Sequence, residues 1–195
     1  MMALVGAATP ALAAEAPAPH MTTDSHGRPV TLEKDRDGDG QVDLWATYTY
    51  TPTTPGQPDE KRAALAVDRN HDGLPDFWRE ERKNRPVREW GDLNDDGRVD
   101  TWIFYDAEGH KIWTVMDKNF DGRPDAWFYY GPKGQAVPGL EKPVAGEIDE
   151  HFDGHPKMFG EVPKTRPTLA DLTTPPPAVG PPPKPATSAP ARLSS

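Results

Sequence analysis

Short runs of alternating or continuous apolar residues, 4–7 long, recur between polar stretches from about residue 24 to residue 160. Residues 44–50 (LWATYTY), 101–105 (TWIFY) and 126–130 (AWFYY) are dense in aromatic and β-branched side chains, which suit a pleated surface. Residues 64–67, 87–90 and 112–116 are shorter apolar segments of strand length between them. Segment 77–82 (FWREER) is ambiguous and reads as a helical turn as easily as a strand. The pattern predicts an all-β chain of tandem β-hairpins, laid out as an open meander or a linear stack. The alternative is a metal-stapled array with little regular structure. About ten candidate strands are too few for a propeller, which needs at least four blades of four.

The polar stretches between the runs are themselves a repeat. Asp-x-Asp/Asn-x-Asp-Gly-x-Val/Pro-Asp-x-Trp occurs at residues 35–45, 68–78, 92–102 and 117–127, with starts 33, 24 and 25 residues apart. A degenerate fifth copy, 149–159, has Lys157 at the ninth place and Phe159 in place of Trp, and reads as a terminal cap. Asp24-Ser-His-Gly27 and Asp106-Ala-Glu-Gly109 each place a Gly eight residues before the next acidic loop and mark tight turns. Recurrent Trp and Tyr in a chain short of aliphatics read as the core, with a line of exposed rings for stacking sugars as the alternative.

Each loop gathers three or four carboxylates within nine residues around a Gly that permits a sharp bend. Like charges about 4 Å apart cost on the order of 4 kcal/mol per pair at an effective dielectric of 20, so convergence calls for a cation. Oxygen donors at places one, three, five and nine, with the carbonyl at place seven, suit calcium; magnesium wants tighter octahedral geometry, and zinc prefers nitrogen and sulfur. The expected ligand sets are Asp35, Asp37, Asp39, Gln41 and Asp43; Asp68, Asn70, Asp72, Leu74 and Asp76; Asp92, Asn94, Asp96, Arg98 and Asp100; and Asp117, Asn119, Asp121, Arg123 and Asp125. Gln41, Leu74, Arg98 and Arg123 contribute their carbonyls. Four Ca2+ ions would bring the formal charge from -9 to about -1.

At these residues the chain resembles the calcium loops of the FG-GAP and VCBS repeats of integrin-type propellers. It is also similar to the loops of thrombospondin type 3 repeats and dockerins. It departs from the EF-hand and dockerin pattern at the twelfth place, where Ala46, Arg79, Ile103 and Phe128 stand instead of an acidic ligand. The resemblance implies calcium binding and strands joined by the loops.

The ends read differently. Residues 1–19 are small and apolar, contain Ala11-Leu12-Ala13 like an export cleavage site, and lack a basic leader region, so they read as a signal-peptide remnant or a disordered arm. Residues 162–195 carry ten of the 24 prolines and read as an extended, disordered tail. With no cysteine, disulfides and thiolate metal sites are excluded. The net charge of -9 argues against nucleic acid and anionic lipid as partners, and no run of about 20 apolar residues is present to cross a bilayer.

Catalytic signatures such as Gly-x-Ser-x-Gly, His-Glu-x-x-His or a phosphate-cradling Gly-Lys-Ser/Thr are missing, and the chain reads as a non-enzyme. His151 and His155 read as substitutions in the degenerate loop rather than metal ligands, because Lys157 would repel a cation. The expectation is an exported protein, in the periplasm, on the cell surface or secreted. It would use calcium to rigidify hairpins for structural or adhesive contact with a surface protein or glycan. Calcium-dependent carbohydrate binding and a hydrolase are the alternatives.

Overall fold

The computed structural model describes residues 18–131 and 142–182. Eleven strands follow one another: β1 (His20–Thr23), β2 (Pro29–Lys34), β3 (Leu44–Thr51), β4 (Glu60–Val67), β5 (Phe77–Arg82), β6 (Arg85–Gly91), β7 (Thr101–Tyr105), β8 (Lys111–Met116), β9 (Ala126–Tyr129), β10 (Ala145–Ile148) and β11 (Lys157–Phe159). Every strand pairs antiparallel with the next, and sheet order equals chain order. The chain is therefore all-β, a tandem hairpin meander in one open sheet. The ambiguous segment 77–82 is strand β5. Its turn into β6 is the pair Lys83 and Asn84, both left-handed at φ 53° and 59°, the two-residue geometry that matches the twist of paired strands.

Loop length sets the register. In each of the four intact copies the residue two before the loop faces the residue at place eleven: Glu33 with Trp45, Ala66 with Trp78, Trp90 with Trp102, and Val115 with Trp127. The intervening pairs Trp45–Ala66, Trp78–Trp90, Trp102–Val115 and Trp127–Glu147 join these into one unbroken row across the sheet. Side chains alternate between faces along a strand, so the whole row lies on one face. Trp45, Trp78, Trp90, Trp102 and Val115 are buried there and form the core cluster with Ala66. Trp113, two residues from Val115, is buried on the same face against Tyr129, with ring centroids 5.1 Å apart.

What covers this row corrects the expectation for the C-terminal segment. Residues 162–182 do not trail free but cross the indole face as a strap, from β10 towards β3. Arg166 pairs with Glu147 at 2.6 Å and stacks over Trp127. A short helix α1 (Leu169–Thr173) follows, opened by a Thr168/Asp171 capping box. Leu172 and Val179 are buried in the Trp cluster, Trp90 Nε1 donates to the Thr174 carbonyl at 3.1 Å, and Gly180 lies on the Trp45 ring. A Cβ at Gly180 would meet Trp45 ring carbons at 2.8 Å. The indoles need a cover to leave water, and a Pro-rich extended strip provides one at low conformational cost. Residues 1–17 and 183–195, which take in most of the expected signal remnant and the end of the expected tail, lie outside the described residues.

The opposite face carries half-buried Leu65, Phe77 and Ile103, with the Arg79 guanidinium against buried Glu89, Nε to Oε1 at 2.6 Å.

Candidate functional site

The acidic loops connect β2 to β3, β4 to β5, β6 to β7, β8 to β9 and β10 to β11, so the meander places all five on one rim of the sheet. With strands about 4.8 Å apart, neighbouring loops stand about 10 Å apart. They are joined by backbone: the first residue of each loop donates its N–H to the ninth residue of the loop before. The bonds are Asp68 to Asp43 at 2.9 Å, Asp92 to Asp76 at 2.9 Å and Asp117 to Asp100 at 2.8 Å. The degenerate copy joins through Asp149 to the Asp125 carbonyl at 2.8 Å.

Within each loop the carboxylates divide the work. The first Asp is buried and accepts the N–H of the sixth-place Gly: Gly40 on Asp35, Gly73 on Asp68, Gly97 on Asp92 and Gly122 on Asp117, at 2.7–2.9 Å. The ninth Asp is also buried and accepts amides from the loop entry: Arg36 on Asp43, Arg69 and Asn70 on Asp76, Leu93 and Asn94 on Asp100, and Lys118 and Asn119 on Asp125. The third and fifth side chains make Asx turns. Asp37, Asn70, Asn94 and Asn119 accept from the fifth residue, and Asp39, Asp72, Asp96 and Asp121 accept from the N–H of Gln41, Leu74, Arg98 and Arg123. Repulsion among the carboxylates is thus partly offset by amide donors, which reduces the expected dependence of loop shape on a cation.

A second left-handed residue is part of the same device. The fourth place has positive φ in every copy: Gly38, His71, Asp95, Phe120 and Phe152. The sequence signals only the sixth-place Gly. The degenerate loop shows which residue sets its length. Asp149 still accepts from Gly154 and Asp153, but Ile148 pairs with Lys157 rather than with residue 158, so the loop is one residue shorter. Without a ninth carboxylate to cap the entry amides, Lys157 joins the ladder, and its Nζ pairs with Glu150.

The electrostatics differ along the rim. Burial pushes Asp92, Asp100, Asp117 and Asp125 above their ordinary pKa, and neighbouring carboxylates add to it, Asp96 acting on Asp117 and Asp149 on Asp125 across the gap between loops. At Asp35 burial acts in the same direction, but the amides of Gly40 and Gly38 outweigh it and the pKa is lowered. Asp149 is likewise lowered by its amides against the effect of burial.

Among the described residues, two groups on this rim bring three ligand atoms within 4.8 Å of one another: Asp35, Asp37 and Asp39 in the first loop, and Asp37 and Asp43 with His71 from the second. A third group, Asp106, Glu108 and His110, lies on the opposite rim. His71 has no counterpart in the expected ligand sets, and only the meander's placement of the second loop beside the first reveals it. In the second loop the ninth carboxylate is held by an internal cation, Arg69 Nε to Asp76 Oδ1 at 2.6 Å. No protein-family model, curated protein or solved structure matches this chain.

Proposed function

We propose that the chain is an exported calcium-binding repeat protein whose ions line one rim of the sheet and rigidify it for structural or adhesive contact. The observation that carries this reading is the shared rim, where carboxylate loops about 10 Å apart are linked directly by backbone hydrogen bonds. An ion in one loop then neutralises charge felt by the next, and its binding energy adds to the stability of the whole sheet. Oxygen donors in flexible loops favour calcium, which is millimolar outside cells, so that sites with dissociation constants of about 0.1–1 mM would fill. The contact would be with a surface protein or glycan. The carbohydrate-binding alternative asks for exposed rings, whereas Trp45, Trp78, Trp90, Trp102 and Trp113 are buried. Their burial favours the structural reading.

Thermal melting followed by circular dichroism tests it. At 1 mM calcium and a dissociation constant of about 0.1 mM, each site adds about 1.4 kcal/mol. Four sites would add about 6 kcal/mol and raise the melting temperature by more than about 10 °C over the chelated protein. Equal melting temperatures in chelator and in millimolar calcium would refute the proposal.

A further inference from the structure

We infer that the first and second loops together form a site for a first-row transition-metal ion, held by Asp37, Asp43 and His71. This revises the proposed calcium function at the first loop and leaves the other three loops as they are.

Three observations converge on it. A ligand atom of each of the three residues lies within 4.8 Å of the other two. His71 Nδ1 stands 3.3 Å from Asp37 Oδ2, across the gap between adjacent loops. Two ligands bound at about 2.0 Å in a tetrahedron are separated by about 3.3 Å, so this pair already has the spacing of one tetrahedral edge. Third, Asp43 is only 4% exposed; its Oδ2 accepts the Arg36 amide, but its Oδ1 is buried with no hydrogen-bond partner.

In the second and third loops the equivalent oxygen is served. Asp76 Oδ1 accepts from the Arg69 guanidinium at 2.6 Å, and Asp100 Oδ1 accepts from the Thr101 hydroxyl at 2.9 Å. At Asp43 the first loop leaves a fully buried anionic oxygen without a donor, which is costly unless a cation completes it. The composition of the site selects that cation. Calcium takes oxygen ligands, whereas an imidazole nitrogen beside two carboxylates suits zinc and its first-row neighbours, with water in the remaining position. Reading the loops one at a time as all-oxygen disfavours zinc; the imidazole from the neighbouring loop reverses that preference here.

The test is isothermal titration of the full chain with Zn2+ in the presence of millimolar calcium. One saturable zinc site per chain is expected. His71→Asn keeps a residue that tolerates the left-handed backbone, and it should lower zinc affinity at least about tenfold. In the wild-type chain, zinc should move the imidazole resonances of His71 before those of His26, His110, His151 and His155, a readout that needs no variant. Co2+ should give visible d–d bands that His71→Asn abolishes. Lack of a saturable zinc site, or equal zinc affinity in His71→Asn, would overturn the inference. The calcium-induced rise in melting temperature is read separately. If it is absent while the zinc site persists, the calcium reading fails and this one stands; if it persists without a zinc site, this inference fails and the calcium reading stands.

Discussion

Place four of the acidic loop is left-handed in all five copies, yet Gly38 is its only glycine; His71, Asp95, Phe120 and Phe152 take the same backbone state. For a bulky residue that conformation costs about 1–2 kcal/mol, against about 0.5–1 kcal/mol for the entropy of a glycine. Phe120 is 37% exposed, so more than half of its surface is covered. Losing that burial, worth about 1–2 kcal/mol, together with the entropy of a glycine outweighs the backbone relief, so Phe120→Gly should destabilise the protein by about 0.5–1 kcal/mol, seen as a melting temperature a few degrees lower. A rise would show that the backbone, not the ring, dominates. The turn before β2 offers a pH test. Asp24 is held down to about 2, chiefly by the Arg28 amide, with the Arg28 guanidinium and the His26 amide adding to it. A carboxylate with a lowered native pKa contributes stability that is complete above its unfolded value of 3.8 and is lost as pH falls towards 2. A carboxyl NMR titration of Asp24 should show its midpoint near 2; one near 3.8 would contradict the turn geometry. At this scale the Asp and Gly pattern was legible because each type has a distinctive chemistry. Place four was not, because His, Asp and Phe carry no common turn signal and are driven left-handed by closure of the Asp-to-amide bonds.

At the scale of elements, the strands were readable from their aromatic and β-branched runs, and the ambiguity of 77–82 was resolved by neighbours. Between β4 and β6, the alternation of Phe77, Arg79 and Glu81 against Trp78, Glu80 and Arg82 places Trp78 in the indole row. The C-terminal strap is docked where its proline content alone implies a solvated tail. Proline content signals an extended chain correctly, but whether an extended chain is solvated or docked depends on the surface it meets. Two local signals were present: the Thr168-x-x-Asp171 capping box and the isolated apolar residues Leu172 and Val179. Leu172→Ala should loosen the strap, since removing a buried Leu side chain costs about 2–5 kcal/mol. Gly180→Val should do the same by collision with Trp45. Both variants should shift Trp emission to the red and raise acrylamide quenching while the far-ultraviolet sheet signal persists. Unchanged emission in both would mean that the strap does not shield the row.

For the whole molecule, the rim concentrates like charge in a line with a period of about 10 Å. Its repulsion is screened once the Debye length, about 30 Å at 0.01 M salt, falls to about 8 Å at 0.15 M. In chelator the melting temperature should rise with NaCl over that range, and calcium should flatten the dependence. A melting temperature in chelator that falls or stays level with salt would show that the amide donors already neutralise the rim. The sequence by itself determined the strand class and the loop positions, because these follow from local chemistry and from residue spacing along one chain. Only the tertiary structure decided which loops become neighbours, that His71 reaches Asp37, that Asp43 Oδ1 is left without a donor, and that residues 162–182 cover the indoles. Those are contacts between segments distant in sequence, and their chemistry exists only after the sheet has brought them together.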